Sequence, residues 1–134
     1  MKTCKILFSF FLLSVAANAQ TVGDSLSLIE VLRPNGVVEK HHKGYTYEWY
    51  DDGSECDYVY YLDKNFVCTE MLISPFDPEV ANRFLRSLDC DINATQISKS
   101  EWILKRAEGS HLKITFKRDY FTFYAFHIKP QTIK

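Results

Sequence analysis

Residues 45–73 read YTYEWYDDGSECDYVYYLDKNFVCTEMLI. Tyr45, Tyr47 and Trp49 alternate with Thr46, Glu48 and Tyr50, the period of two that marks a strand. Asp51-Asp52-Gly53-Ser54 carries turn chemistry, Asp57 to Leu62 predicts a second strand, and Asp63-Lys64-Asn65 turns into a third, Phe66 to Ile73. Strands joined by so few residues pair antiparallel, because a parallel return needs a crossover of a dozen residues or more.

Helical patterns flank this meander. Asp24 to Arg33 predicts a short helix with Leu28, Ile29 and Leu32 on one side, capped by Asp24 or Ser25 and stopped by Pro34-Asn35-Gly36. Downstream, Asp77 is an N-cap and Pro78 takes the first helical position, where its missing N–H costs nothing. Val80, Ala81, Phe84, Leu85 and Leu88 then form one apolar stripe ending near Asp89. Three more strands are predicted at Glu101–Ala107, Leu112–Arg118 and Tyr120–Ile128, with turns at Glu108-Gly109-Ser110 and Arg118-Asp119.

The order helix, three strands, helix, three strands predicts an α+β fold. Two tandem units, 24–75 and 77–128, each a helix and a three-stranded antiparallel meander, would share one sheet with the helices on one face. Faint echoes link the units: Glu48-Trp49 with Glu101-Trp102, Gly53-Ser54 with Gly109-Ser110, and Asp63-Lys64-Asn65-Phe66 with Arg118-Asp119-Tyr120-Phe121. The Tyr-x-Trp-Tyr strand at 47–50, with Tyr58 to Asn65 and Phe66, resembles the SmpA/OmlA-type outer-membrane assembly lipoprotein domain and the repeats of the β-lactamase inhibitor protein. The resemblance implies an envelope protein that binds other proteins. The chain departs from those families in lacking their glycine-rich helical signature over 22–34 and an anchoring cysteine at the mature N-terminus.

The N-terminus reads as an export signal. Lys2 and Lys5 precede an apolar run, Ile6 to Ala17, and Ala17-Asn18-Ala19 supplies the small-x-small cleavage pattern. The run is too short to span a bilayer, which takes about 20 apolar residues. Cleavage after Ala19 would leave one domain, 20–134, free of a lipid anchor because Gln20 rather than a cysteine would lead it. Cys4 lies upstream of the apolar run. The expected location is the periplasm or the exterior. Removing Lys2 and Lys5 takes the formal charge from −1 to −3. With both signs interspersed, nothing points to nucleic acid or to an anionic membrane surface.

Three cysteines would remain in an oxidising compartment: Cys56, Cys68 and Cys90. Cys56 and Cys68 fall out of register across a tight turn. A helix of about 12 residues rises about 18 Å, which returns Cys90 toward the level of Cys68. Cys68–Cys90 is therefore the expected disulfide, and three separate thiols are the alternative. Lys40-His41-His42-Lys43 is a poor metal site, since adjacent side chains on an extended segment point apart and the lysines repel a cation. Asp51, Asp52, Glu55 and Asp57 lack calcium-loop spacing and read as a solvated turn. The chain carries no nucleophile elbow, phosphate loop or dinucleotide fingerprint, so no cofactor, metal or catalytic set is assigned.

Surplus aromatic residues remain. Tyr45, Tyr47, Trp49, Tyr58, Tyr60 and Tyr61 are more than one sheet face can bury, and Phe121, Tyr124 and Phe126 alternate on both faces of the last strand. The sheet face away from the helices would then display tyrosines, and Tyr and Trp are favoured at interfaces. The expected function is a non-catalytic exported binding domain that contacts an envelope or extracellular protein through this aromatic-rich face, with Tyr45, Tyr47, Trp49, Tyr58 and Tyr61 as the candidate binding residues. A small-ligand or carbohydrate binder is the alternative, and a hydrolase stands behind both.

Overall fold

The computed structural model describes residues 18–51, 53 and 55–128. The apolar run of the expected export signal lies outside them, as do Asp52 and Ser54.

The described chain is predominantly β, which corrects the α+β expectation of two helix-plus-three-strand units. Its strands are β1 (Val37–His41), β2 (Gly44–Asp51), β3 (Cys56–Leu62), β4 (Cys68–Pro75), β5 (Ala94–Ser98), β6 (Glu101–Lys105), β7 (His111–Lys117) and β8 (Thr122–His127). Two helices, α1 (Leu26–Leu32) and α2 (Pro78–Asp89), precede β1 and β5. All eight strands form one antiparallel sheet in the order β1-β2-β3-β4-β8-β7-β6-β5. The two unforeseen strands, β1 and β5, are its edges. Every residue of β1, and all of β5 but half-buried Ala94, is exposed. With no buried face, neither sequence shows alternating hydrophobicity, so no period-2 signal marks them.

The echo at the turns has a structural counterpart. The Phe66 N–H closes on the Asp63 carbonyl at 3.0 Å and the Phe121 N–H on the Arg118 carbonyl at 3.4 Å. Both phenylalanines are left-handed, with φ of 61° and 49°. That conformation ends each turn, so the following strands start at Cys68 and Thr122, later than predicted.

α2 forms as its sequence dictates. The Asp77 carboxylate accepts from the Val80 N–H at 3.0 Å, Pro78 opens the helix, and Val80, Ala81, Phe84 and Leu88 are buried. The Phe84 ring lies 5.8 Å from that of Phe123, which lies 4.6 Å from Phe116. α1 is capped by the Ser25 hydroxyl, accepting from Leu28 N–H at 3.4 Å. Of its expected stripe only Ile29 is buried; Leu28 and Leu32 are exposed.

One core holds both helices against one side of the sheet. Tyr47, Tyr58, Tyr60, Met71, Ile73, Leu112, Ile114 and Phe123 point into it. The segment before α1 also joins this core. Gly23 N–H donates to the Cys68 carbonyl at 2.7 Å, and Cys68 N–H donates to the Asp24 carbonyl at 2.8 Å. Asn18, Ala19 and Val22 are buried there. From the other half of the chain, the buried Arg106 guanidinium donates to the Val22 carbonyl at 2.7 Å.

Candidate functional site

The pleat decides which tyrosines are available. Tyr47 pairs with Tyr60 and Trp49 with Tyr58, and all four point to the helix side. Tyr47 and Tyr58 are each only 1% exposed, which corrects their assignment to a displayed face. Tyr47 is a structural pin: its hydroxyl accepts from Gly36 N–H at 2.9 Å and donates to the Arg33 carbonyl. Tyr45 stacks on Phe66 at 4.2 Å. Trp49 packs on Tyr58 at 5.3 Å and donates its indole N–H to the Pro34 carbonyl at 3.1 Å. Tyr45 and Trp49 therefore sit half-buried at the rim of the core side. Of the five expected binding residues, Tyr61 alone occupies the opposite face. It is three residues from Tyr58, and an odd separation along a strand reverses the side.

That opposite face is covered by neither helix. One row across it runs Thr46, Tyr61, Glu70, Phe126, Lys113 and Ile103, and the next runs Glu48, Val59, Leu72, Tyr124, Thr115 and Glu101. Val59, Tyr61, Leu72, Tyr124 and Phe126 are all half-buried and flank one another, with neither described helix above them. Burial raises the Tyr61 phenol above its ordinary range, helped by the nearby charges of Glu70, Tyr124 and Glu48. Burial also raises the Glu70 carboxyl. Leu72, Tyr124 and Phe126 were not singled out as binding residues; once β4 is known to pair with β8, their parity places them beside Tyr61.

On the helix side, at the margin by α1, lies a cleft of about 360 Å3 whose walls include Asp24, Leu32, Arg33, Trp49 and Asp51. The Arg33 guanidinium lies 5.6 Å from the Trp49 ring centre and 5.8 Å from that of Tyr60, and donates to Asn18 Oδ1 at 3.2 Å. Burial raises the Asp24 carboxyl despite the opposing pull of Arg106 and Arg33.

The remaining clusters are dispersed by the fold. His41 and His42 end the β1–β2 hairpin; His41 Nε2 meets Thr46 Oγ1 at 2.8 Å and Glu39 at 3.8 Å. His127 lies across the sheet against Arg106, at 3.1 Å, and its imidazole is held below the ordinary range by burial and that guanidinium. Among the described residues no group of His, Cys, Asp and Glu is arranged to hold a metal ion. Asp51, Glu55 and Asp57 surround the β2–β3 turn, where Asp51 Oδ1 accepts from Gly53 N–H at 3.1 Å.

The expected Cys68–Cys90 bridge is not formed. Cys56 and Cys68 are buried and not bridged to each other, whereas Cys90 is disulfide-bonded. The sheet order supplies the reason. Cys68 opens β4 at the sheet centre, whereas α2 delivers Cys90 toward β5 at the far edge. β4 and β5, the strands that α2 joins, stand four steps of about 4.8 Å apart, so the helix leads its C-cap residue away from the strand that holds Cys68.

Burial pushes the Cys68 thiol from an ordinary 9.0 up to about 12, so at neutral pH it is a core thiol rather than a nucleophile. The folded state therefore holds this proton where the unfolded chain releases it. Its contribution is intact below pH 9.0 and declines as pH rises from there toward 12. Tyr60, raised in the same direction by burial, adds to the trend. Chemical denaturation at several alkaline pH values should show stability falling, with a shallower slope in Cys68→Ala. Equal slopes for both proteins would refute the assignment.

Among the described residues no helix is long and apolar enough to cross a membrane. No protein family matches the chain, and neither a curated protein nor a solved structure is significantly similar to it.

Proposed function

We propose that this chain is a non-catalytic, exported protein-binding domain whose contact surface is the open face of the sheet. The observation that carries the reading is the cluster of Val59, Tyr61, Leu72, Tyr124 and Phe126, half-buried at the centre of a face that neither helix covers. A central apolar and aromatic patch bordered by charge is the anatomy of a protein interface. Export follows from the N-terminal pattern of Lys2 to Ala19 and is part of the same proposal.

A photo-crosslinking residue placed at Tyr61 or Phe126 tests the surface in an envelope extract. Irradiation should attach a protein at both positions and give little product from Tyr120, which is 76% exposed and lies in the turn before β8. If positions 61 and 126 capture no protein, the reading is wrong.

The cleft beside Arg33 and Trp49 favours a second reading, a small-ligand or carbohydrate binder. An aromatic wall with a stacked guanidinium suits a polar ligand presenting one flat face. A glycan and metabolite array read with Trp49→Ala separates it from the first: loss of a bound small molecule supports the cleft, and an unchanged or empty array removes it.

A further inference from the structure

The open face is divided by charge along the direction of strand order. On one half, β1 to β4 place Glu39, Glu48, Asp57 and Glu70 on this side. On the other, β6 and β7 place Lys105, Lys113 and Lys117 there. Glu101, on β6, is bound to Lys113 at 2.6 Å and is held below the ordinary carboxylate range by that lysine and Ser98. The apolar patch lies where the halves meet, on β3, β4 and β8, with Glu70 between Tyr61 and Phe126.

From this distribution we infer that the partner fitting the face is a second copy of the chain, docked sheet against sheet about a two-fold axis parallel to the strands. The inference rests on the open face being the binding surface. A two-fold in that direction reverses strand order in the opposing copy, so β3 of each lies over β7 of the other with Asp57 level with Lys117. Glu48 on β2 meets β6 where Glu101 is neutralised by Lys113. The central patches then meet across the axis. An axis perpendicular to the strands would set carboxylates against carboxylates, which electrostatics disfavours. The arrangement is isologous and closed, so it ends at a dimer.

The size of the face is sufficient. Eight strands at about 4.8 Å spacing, each about 20 Å long, give about 700 Å2 per copy. The two copies would bury about 1,400 Å2, within the roughly 1,200–2,000 Å2 typical of stable complexes. Tyr61, Leu72, Tyr124 and Phe126 would supply the buried centre and the charges the rim.

Sedimentation velocity on the purified protein tests this. The wild type should dimerise, and more weakly as salt rises. Glu48, Asp57, Lys105 and Lys117 are all exposed, so reversing them leaves the core untouched. Both the Glu48→Lys/Asp57→Lys pair and the Lys105→Glu/Lys117→Glu pair should weaken self-association about tenfold or more. Mixing the two variants should restore pairing as a heterodimer, which also shows that each is folded.

A wild type that stays monomeric at several hundred micromolar, reversals that dimerise as well as the wild type, or a mixture that fails to pair would each overturn the second-copy assignment. The crosslinks at positions 61 and 126 separate its failure from that of the surface itself. A monomer whose crosslinks capture a different protein keeps the open-face reading and rejects the dimer. A monomer with no captured protein rejects both.

Discussion

Phe84→Ala should destabilise the fold by about 3–5 kcal/mol, as expected for a buried aromatic removed from a packed core. The ring is 1% exposed and lies at the junction of α2 with Phe123 and, through it, Phe116. α2 connects β4 to β5, strands that stand four places apart in the sheet. Loss of the ring therefore loosens the one described helical connection between the halves as well as leaving a cavity. Domains of this size are stable by about 5–15 kcal/mol, so this variant approaches the unfolding limit at physiological temperature. Urea denaturation followed by far-ultraviolet dichroism measures the loss. A shift under about 1 kcal/mol would show that the site collapses around the missing ring.

Gly44→Val should cost about 3 kcal/mol, at the upper end for forcing extra atoms into a packed region. Gly44 opens β2 opposite the end of β3, and a Cβ there would be driven into the Leu62 carbonyl oxygen. That atom is backbone, so relief requires the β2–β3 pairing to open near Tyr45 and Leu62. Gly109 is the control. It has φ of 100° with nothing within 4 Å of an added Cβ. Gly109→Ala then carries conformational strain alone, about 1–2 kcal/mol. Hydrogen exchange should show faster opening of the β2–β3 ladder in Gly44→Val and a local effect at the β6–β7 turn in Gly109→Ala. Equal costs at the two positions would contradict the steric account.

The elements that could be read from sequence are those with one buried side. α2 is legible because its cap, first-turn proline and apolar stripe all agree. β3 and β7 are legible because burial alternates along them, as it does along β2 from Tyr47 onward. β1 and β5 were not, because an edge strand with both faces in solvent carries no alternation and is recruited by its neighbour's unpaired N–H and C=O groups. The candidate site was legible only at Tyr61. Composition revealed a surplus of aromatic side chains but not the side of the sheet on which each would stand.

The sequence by itself determined the period-2 strands, the tight turns that make them antiparallel, and the strongly capped second helix. These are local properties, set by side-chain spacing and by which backbone conformations each residue tolerates. Only the tertiary structure decided that β4 pairs with β8, that Tyr47 and Tyr58 face the helices, and that Cys90 is carried away from Cys68. Those outcomes depend on contacts between residues far apart in the chain. One pairing, once made, fixes the facing of every side chain on both strands, and so turns Tyr61, Leu72, Tyr124 and Phe126 into a single surface.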